Sequence, residues 1–148
     1  MSDTATKTVT KSRPVFRNIN AFTDLPSYRL PVAGWISILH RISGFVMFLL
    51  LPFVVWMFDK SLTSEISYDE FTNIFVAGWG VVPAVLVKLV TLGLLWSYLH
   101  HFTAGVRHLW MDATHSVSKE QGRSSAVATL AISLLLTVLL GAKLFGLY

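Results

Sequence analysis

The side chains best suited to chemistry lie close together in Leu99-His100-His101-Phe102-Thr103-Ala104-Gly105-Val106-Arg107-His108, at the end of a long apolar run. Ionisable groups at membrane depth are costly, so they usually face a protein interior and work there. On a helix, residues seven apart differ by about 20° in heading and lie about 10 Å apart along the axis. His101 and His108 therefore share a face, with Gly105 between them. That is the shape of a slot for a flat ligand. One imidazole would bind a metal, the glycine would let a ring plane approach, and the second imidazole would reach the ligand's polar edge. His100 points about 100° away from this face. A second polar group, Ser37, His40, Arg41 and Ser43, interrupts another apolar run.

The elements that must carry these residues follow from composition. Of 148 residues, 53% are hydrophobic and 14% charged, and the mean hydropathy is +0.60. Membrane spans are the first expectation for such a chain. The pattern predicts an all-α membrane protein with three transmembrane helices, near 35–58, 83–110 and 125–145, in an anchor region 34–146. Pro52 is tolerable within the first span, with a kink, and Lys88 can snorkel from the second. Ser67-Tyr-Asp-Glu70 has the form of a capping box and predicts a short surface helix over 68–77, after which Gly78, Gly80 and Pro83 reset the chain. Ser124 or Ser125 is the expected N-cap of the third span, whose work is packing. The polar, aperiodic residues 1–12 are expected to be disordered. Residues 13–33, with Arg13, Arg17 and Arg29, are expected to lie irregularly or as a short amphipathic segment on the membrane face. Together 1–33 form a polar, basic N-terminal segment.

Composition also excludes chemistry. The absence of cysteine rules out iron–sulfur clusters, thioether-linked haem and disulfides in this chain. Gly78-Trp-Gly80 fails as a dinucleotide fingerprint, since Pro83 replaces the third glycine and no strand precedes it. The net charge of +4 is spread over membrane edges, so no nucleic-acid partner is implied.

Orientation follows from the loops. The segment up to residue 34 carries five Lys/Arg, whereas the first loop holds Lys60 against Asp59, Glu65, Asp69 and Glu70. The second connection adds Arg107, Lys119 and Arg123. The N-terminus and second loop are thus expected to be cytoplasmic. Arg41 then lies about 9 Å from the cytoplasmic end of the first span, and His101 about 27 Å from the outer end of the second. The spans are antiparallel, so Ser37, His40, Arg41, His101 and His108 reach matched depth and argue for a shared pocket. A neutral imidazole in a bundle interior suits axial ligation of haem, and His108, His40 and Arg41 suit its anionic propionates. The plain alternative is that the histidines hydrogen-bond neighbouring helices. Zinc is disfavoured, as no cysteine or inward carboxylate completes a tetrahedral set. A transporter or proton relay would use the same buried groups, but no internal repeat is visible and the third span has no polar face.

Ser37-Ile38-Leu39-His40-Arg41-Ile42-Ser43-Gly44 resembles the S-x-x-H-R-x-[ST]-G signature of the cytochrome b membrane-anchor subunit of succinate dehydrogenase. His101-x-x-x-Gly105-x-Arg107-His108-x-x-x-Asp112 resembles that family's H-x-x-x-G-x-R-H-x-x-x-D signature, and Arg13-Pro14 its usual opening. The resemblance covers about residues 13–146. It implies half of a two-subunit, haem-binding helical bundle in a bacterial inner membrane. The partners would be a second small anchor subunit, an iron–sulfur subunit, a flavoprotein subunit and membrane lipid. It implies that His101, selected over His100 by the motif spacing, is the axial ligand of a shared b-type haem. His40, Arg41 and His108, with Gly105, would border the haem, and Ser37, Ile38 and Arg41 the ubiquinone. Electrons from succinate would reach quinone here, with no succinate chemistry in this chain. An anchor of a fumarate reductase and a haem-free structural anchor are the other readings.

Overall fold

The structure is a computed structural model that describes residues 20, 22–24, 27–115 and 118–148. The expectations for residues 1–12 and for the Arg13-Pro14 opening fall outside the described residues. Five helices follow in order: α1 (Val32–Leu49), α2 (Leu51–Thr63), α3 (Glu65–Asn73), α4 (Ala84–Thr114) and α5 (Lys119–Leu144). Among the described residues, α1, α4 and α5 are long and apolar enough to cross a membrane.

The first apolar run is not one helix over 35–58. It bends at Leu50, where the backbone turns to φ −88° and ψ 1° between α1 and α2. The cause is Pro52, which has no N–H to offer Phe48 and whose ring crowds that carbonyl. The bonds Leu50 N–H to Val46 O and Val54 N–H to Leu50 O, both 3.0 Å, carry the chain across the bend. Beyond α2 the capping box sits three residues earlier than the sequence suggested. Ser64 is the N-cap, its hydroxyl accepting from the Ser67 amide while Ser67 Oγ accepts from Ser64 N–H. Serine substitutes for glutamate at the third position, and Glu70 is free to meet Lys60 at 2.7 Å, tying α3 back to α2. The chain then turns through Gly78 (φ 97°) and Gly80 (φ 59°). These left-handed angles favour glycine, and the turn closes with reciprocal bonds between Trp79 and Val82. Trp79 stacks on Trp56 at 4.7 Å, an aromatic cluster of the kind that marks a membrane interface.

The third apolar helix also starts earlier than expected, at Lys119. Ser118, rather than Ser124 or Ser125, is its N-cap, in a capping box with Gln121. The two predicted caps fall inside the helix, where Ser124 and Ser125 bond back to Gln121 and Gly122 carbonyls.

The three long helices form one bundle in which α4 packs against both α1 and α5. Its core is small: Ile36, Ala104 and Ala126 are fully buried, with Val32, Ala33 and Leu130 against them. Ser43, Ser97, Thr129 and Ser133 are buried too. At Gly141 an added Cβ would come within 2.8 Å of Leu92 Cδ1, so the Leu92 side chain of α4 seats directly on the α5 backbone. Small residues at such seams let membrane helices pack by contact rather than by hydrophobic exclusion. The large apolar side chains face outward instead; Phe45, Phe48, Leu109, Leu135 and Val138 are exposed. That inside-out distribution suits a chain surrounded by lipid and by other membrane helices.

Candidate functional site

Helices α1 and α4 run antiparallel and set Ser37–Gly44 against His101–His108. His101 is held by α1. Its Nδ1 lies 3.0 Å from the His40 carbonyl and 3.3 Å from Ser43 Oγ. The Ser43 hydroxyl proton is already donated to that same carbonyl at 2.8 Å. Both neighbours of Nδ1 are therefore acceptors, which assigns the proton to Nδ1 and leaves a lone pair on Nε2. A backbone carbonyl fixing the far nitrogen is the usual way a ligating histidine is oriented.

His40 stacks on His101, ring centroids 4.1 Å apart and planes 21° from parallel. It also lies 5.3 Å from the His108 ring. Three imidazoles from two helices are thus in ring contact. His40 Nε2 is buried and has no hydrogen-bond partner within the described residues. An orphaned polar atom of this kind calls for a partner the chain itself does not supply.

The glycines divide the work differently from the sequence expectation. Gly105 does lie on the His101–His108 face, but it is the His40 ring that rests over it, its Nε2 3.8 Å from where a Cβ would stand. The tighter site is Gly44, where a Cβ would come within 2.9 Å of His101 Cε1. Gly44 and Ser43 seat the His101 ring. Their positions in the first motif were visible in sequence, but their contact across helices was not.

Ser37 is half-buried and Arg41 exposed on the same side of α1, with Ile38 half-buried beside them. Most hydroxyls in these helices bond back to their own backbone, as Ser97, Thr103, Thr129 and Thr137 do. Ser37 makes no such bond, and its hydroxyl has no partner among the described residues. Arg41 has no carboxylate partner among the described residues, where the ion pair is Lys60 with Glu70.

His100 turns the other way, as its heading predicted. It is fully buried, stacks on Trp96, and its Nδ1 meets Ser133 Oγ on α5 at 3.2 Å. Arg107, grouped by charge with the second connection, lies instead inside α4 and is buried in the seam with α5. Its Nε donates to Ser125 Oγ at 3.0 Å and its Nη2 to the Gly122 carbonyl at 3.2 Å. Two of the scattered hydroxyls of α5, Ser125 and Ser133, therefore serve α4, a role that periodicity alone does not reveal.

A family model described as the succinate dehydrogenase/fumarate reductase transmembrane subunit matches residues 11–140. The chain belongs to this family. Curated members include the succinate dehydrogenase cytochrome b556 subunit of Coxiella burnetii, 34% identical over 119 residues, covering 80% of this chain and 90% of that protein. The b556 subunit of Paracoccus denitrificans is 33% identical over 115 residues, covering 78% and 83%. A cytochrome b560 subunit from Reclinomonas americana is 29% identical, covering 78% of each chain. Together with its three apolar helices, this makes the chain a membrane-anchor subunit of the succinate dehydrogenase cytochrome b type. It is one part of an oxidoreductase complex.

Proposed function

We propose that this subunit holds a b-type haem through His101 and contributes part of a ubiquinone-reduction site. The observation that carries the reading is the fixed His101 ring, its Nδ1 engaged at 3.0 Å by the His40 carbonyl and its Nε2 lone pair free for iron. The residues present fit the group. His40, whose buried Nε2 lacks a partner, would meet the propionates together with His108 and Arg41, beside Gly105. Haem would supply a one-electron carrier. The chain's own residues seat and orient it, and exclude water through the α1–α4 contact. Ser37 and Arg41, with Ile38, would bind the quinone carbonyl.

The remaining parts of the reading concern assembly. His40 and His108 are assigned to the haem rim, so the second axial ligand would come from a second small anchor subunit against the exposed apolar face. An iron–sulfur subunit and a flavoprotein subunit would complete the complex on the cytoplasmic side. Residues 34–146 would form the anchor in a bacterial inner membrane, with the basic segment 1–33 in the cytoplasm. A reduced-minus-oxidised spectrum tests the haem. The assembled complex is expected to show a low-spin bis-histidine b-type signal, and the isolated chain to bind haem poorly. Stoichiometric haem in the isolated chain would place both ligands within it. For topology, a reporter fused after Tyr148 is expected outside the cytoplasm and one at Ser118 inside; the reverse pattern would put the site on the wrong side.

A further inference from the structure

A second site lies where α1 begins and α4 passes to α5. Arg107 is 7% exposed. Its hydrogen bonds go to a hydroxyl and a carbonyl, so nothing among the described residues neutralises its charge. Burying an unpaired cation is expensive, which points to an anion from elsewhere. Arg107 lines a cavity of about 530 Å³ together with Lys119 and Arg123. Those two are four apart on α5 and project from one side of it. No Asp or Glu among the described residues lines the cavity.

Two helix starts open into the same space. Val32 and Ala33, the first residues of α1, line it, and α1 has no side-chain cap. Lys119, the first residue of α5, lines it too. Helix N-termini carry partial positive charge and so favour anions. Three cationic side chains and two N-termini therefore converge on a cavity that has no carboxylate among its described lining residues.

Depth and lining select the anion. Arg107 bonds to α5 at Gly122 and Ser125, just before the apolar run of that helix starts at Ala126. The cavity is thus at the level where the spans leave the hydrocarbon. Trp110, 65% exposed, is one turn beyond Arg107 on α4, and exposed tryptophans mark this level. Val32, Ala33 and Met111 make part of the wall apolar. A free phosphate ion has no use for such walls, whereas the glycerol and first methylenes of a lipid do. We propose that this cavity binds the phosphate headgroup of an anionic phospholipid, with Arg107, Lys119 and Arg123 as its charge partners.

The test uses the whole complex purified with its native lipid and counted by native mass spectrometry, then placed in bilayers of phosphatidylcholine with or without phosphatidylglycerol. Wild type is expected to retain a phosphatidylglycerol and to unfold at a higher temperature in its presence. Each charge removed near a bilayer surface should weaken retention about fivefold. The double variant Lys119→Gln/Arg123→Gln, on exposed positions that do not endanger folding, should therefore lose it. Arg107→Gln should do so too, at some cost in packing. Equal retention of the two lipids, or unchanged retention in the double variant, would overturn the proposal. So would stabilisation by inorganic phosphate in lipid-free detergent, which would indicate a soluble anion. Loss of the soluble subunits from the double variant with lipid retention intact would indicate an acidic protein partner instead.

Discussion

His101→Leu is expected to abolish the low-spin haem spectrum of the assembled complex, while His100→Leu leaves it in place. The two residues are neighbours in sequence and opposite in the bundle. His101 faces α1 and stacks on His40; His100 faces α5, where Ser133 meets its Nδ1, and stacks on Trp96 of its own helix. Removing His100 should cost about 1 kcal/mol of helix packing, the size of a strong interhelical hydrogen bond in a membrane, and appear as reduced thermal stability. Gly44→Ala supplies a second variant that removes no ligand atom. Its methyl would stand 2.9 Å from His101 Cε1, so the ring must shift. Loss of an outer contact that orients a metal ligand costs about 10- to 100-fold in affinity. Loss of haem in His100→Leu with retention in His101→Leu would reverse the ligand assignment.

The sequence made the meeting of helices legible and left much of the contact within it hidden. Ser37, His40, Arg41 and the His101–His108 pair could be set at one depth by counting residues along two antiparallel spans. The structure indeed brings the rings of His40, His101 and His108 together. Counting gives heading and height, however, and not which atoms touch. It therefore assigned the open space to Gly105, whereas the closest approach is at Gly44. Arg107 was counted with loop charges because basic residues usually end spans. Its actual place depends on Ser125 and Gly122 of a helix that looked featureless in composition. The kink that Pro52 allows in the first span is legible and falls at Leu50, whereas the caps Ser64 and Ser118 stay hidden for a related reason. Several serines compete locally for each N-cap, and the choice depends on which third residue answers across the turn.

Arg41→Leu is expected to lower succinate–quinone turnover by about 100-fold or more, the scale of losing one donor to a developing anion. Ser37→Ala should lower it by at least about tenfold on the same basis. A quinone carbonyl accepts hydrogen bonds and gains negative charge as it is reduced. A guanidinium and a free hydroxyl four residues apart on one helix face can meet that charge. The bland assignment, in which Ser37 bonds to its own helix as buried serines often do, is contradicted by its lack of any such bond beside Ser97, Thr103 and Thr129, which have theirs. Arg41 could instead serve only a haem propionate. Two further measurements separate these roles. Succinate oxidation by a soluble dye acceptor should stay near wild type in both variants, because that path ends before the membrane. The haem spectrum should also persist, since His101 and its carbonyl anchor on α1 are untouched. Equal loss with dye and with quinone would mean failed assembly. Full quinone turnover in both variants would remove Ser37 and Arg41 from the site. A lost haem signal in Arg41→Leu with Ser37→Ala fully active would leave Arg41 with the propionates alone.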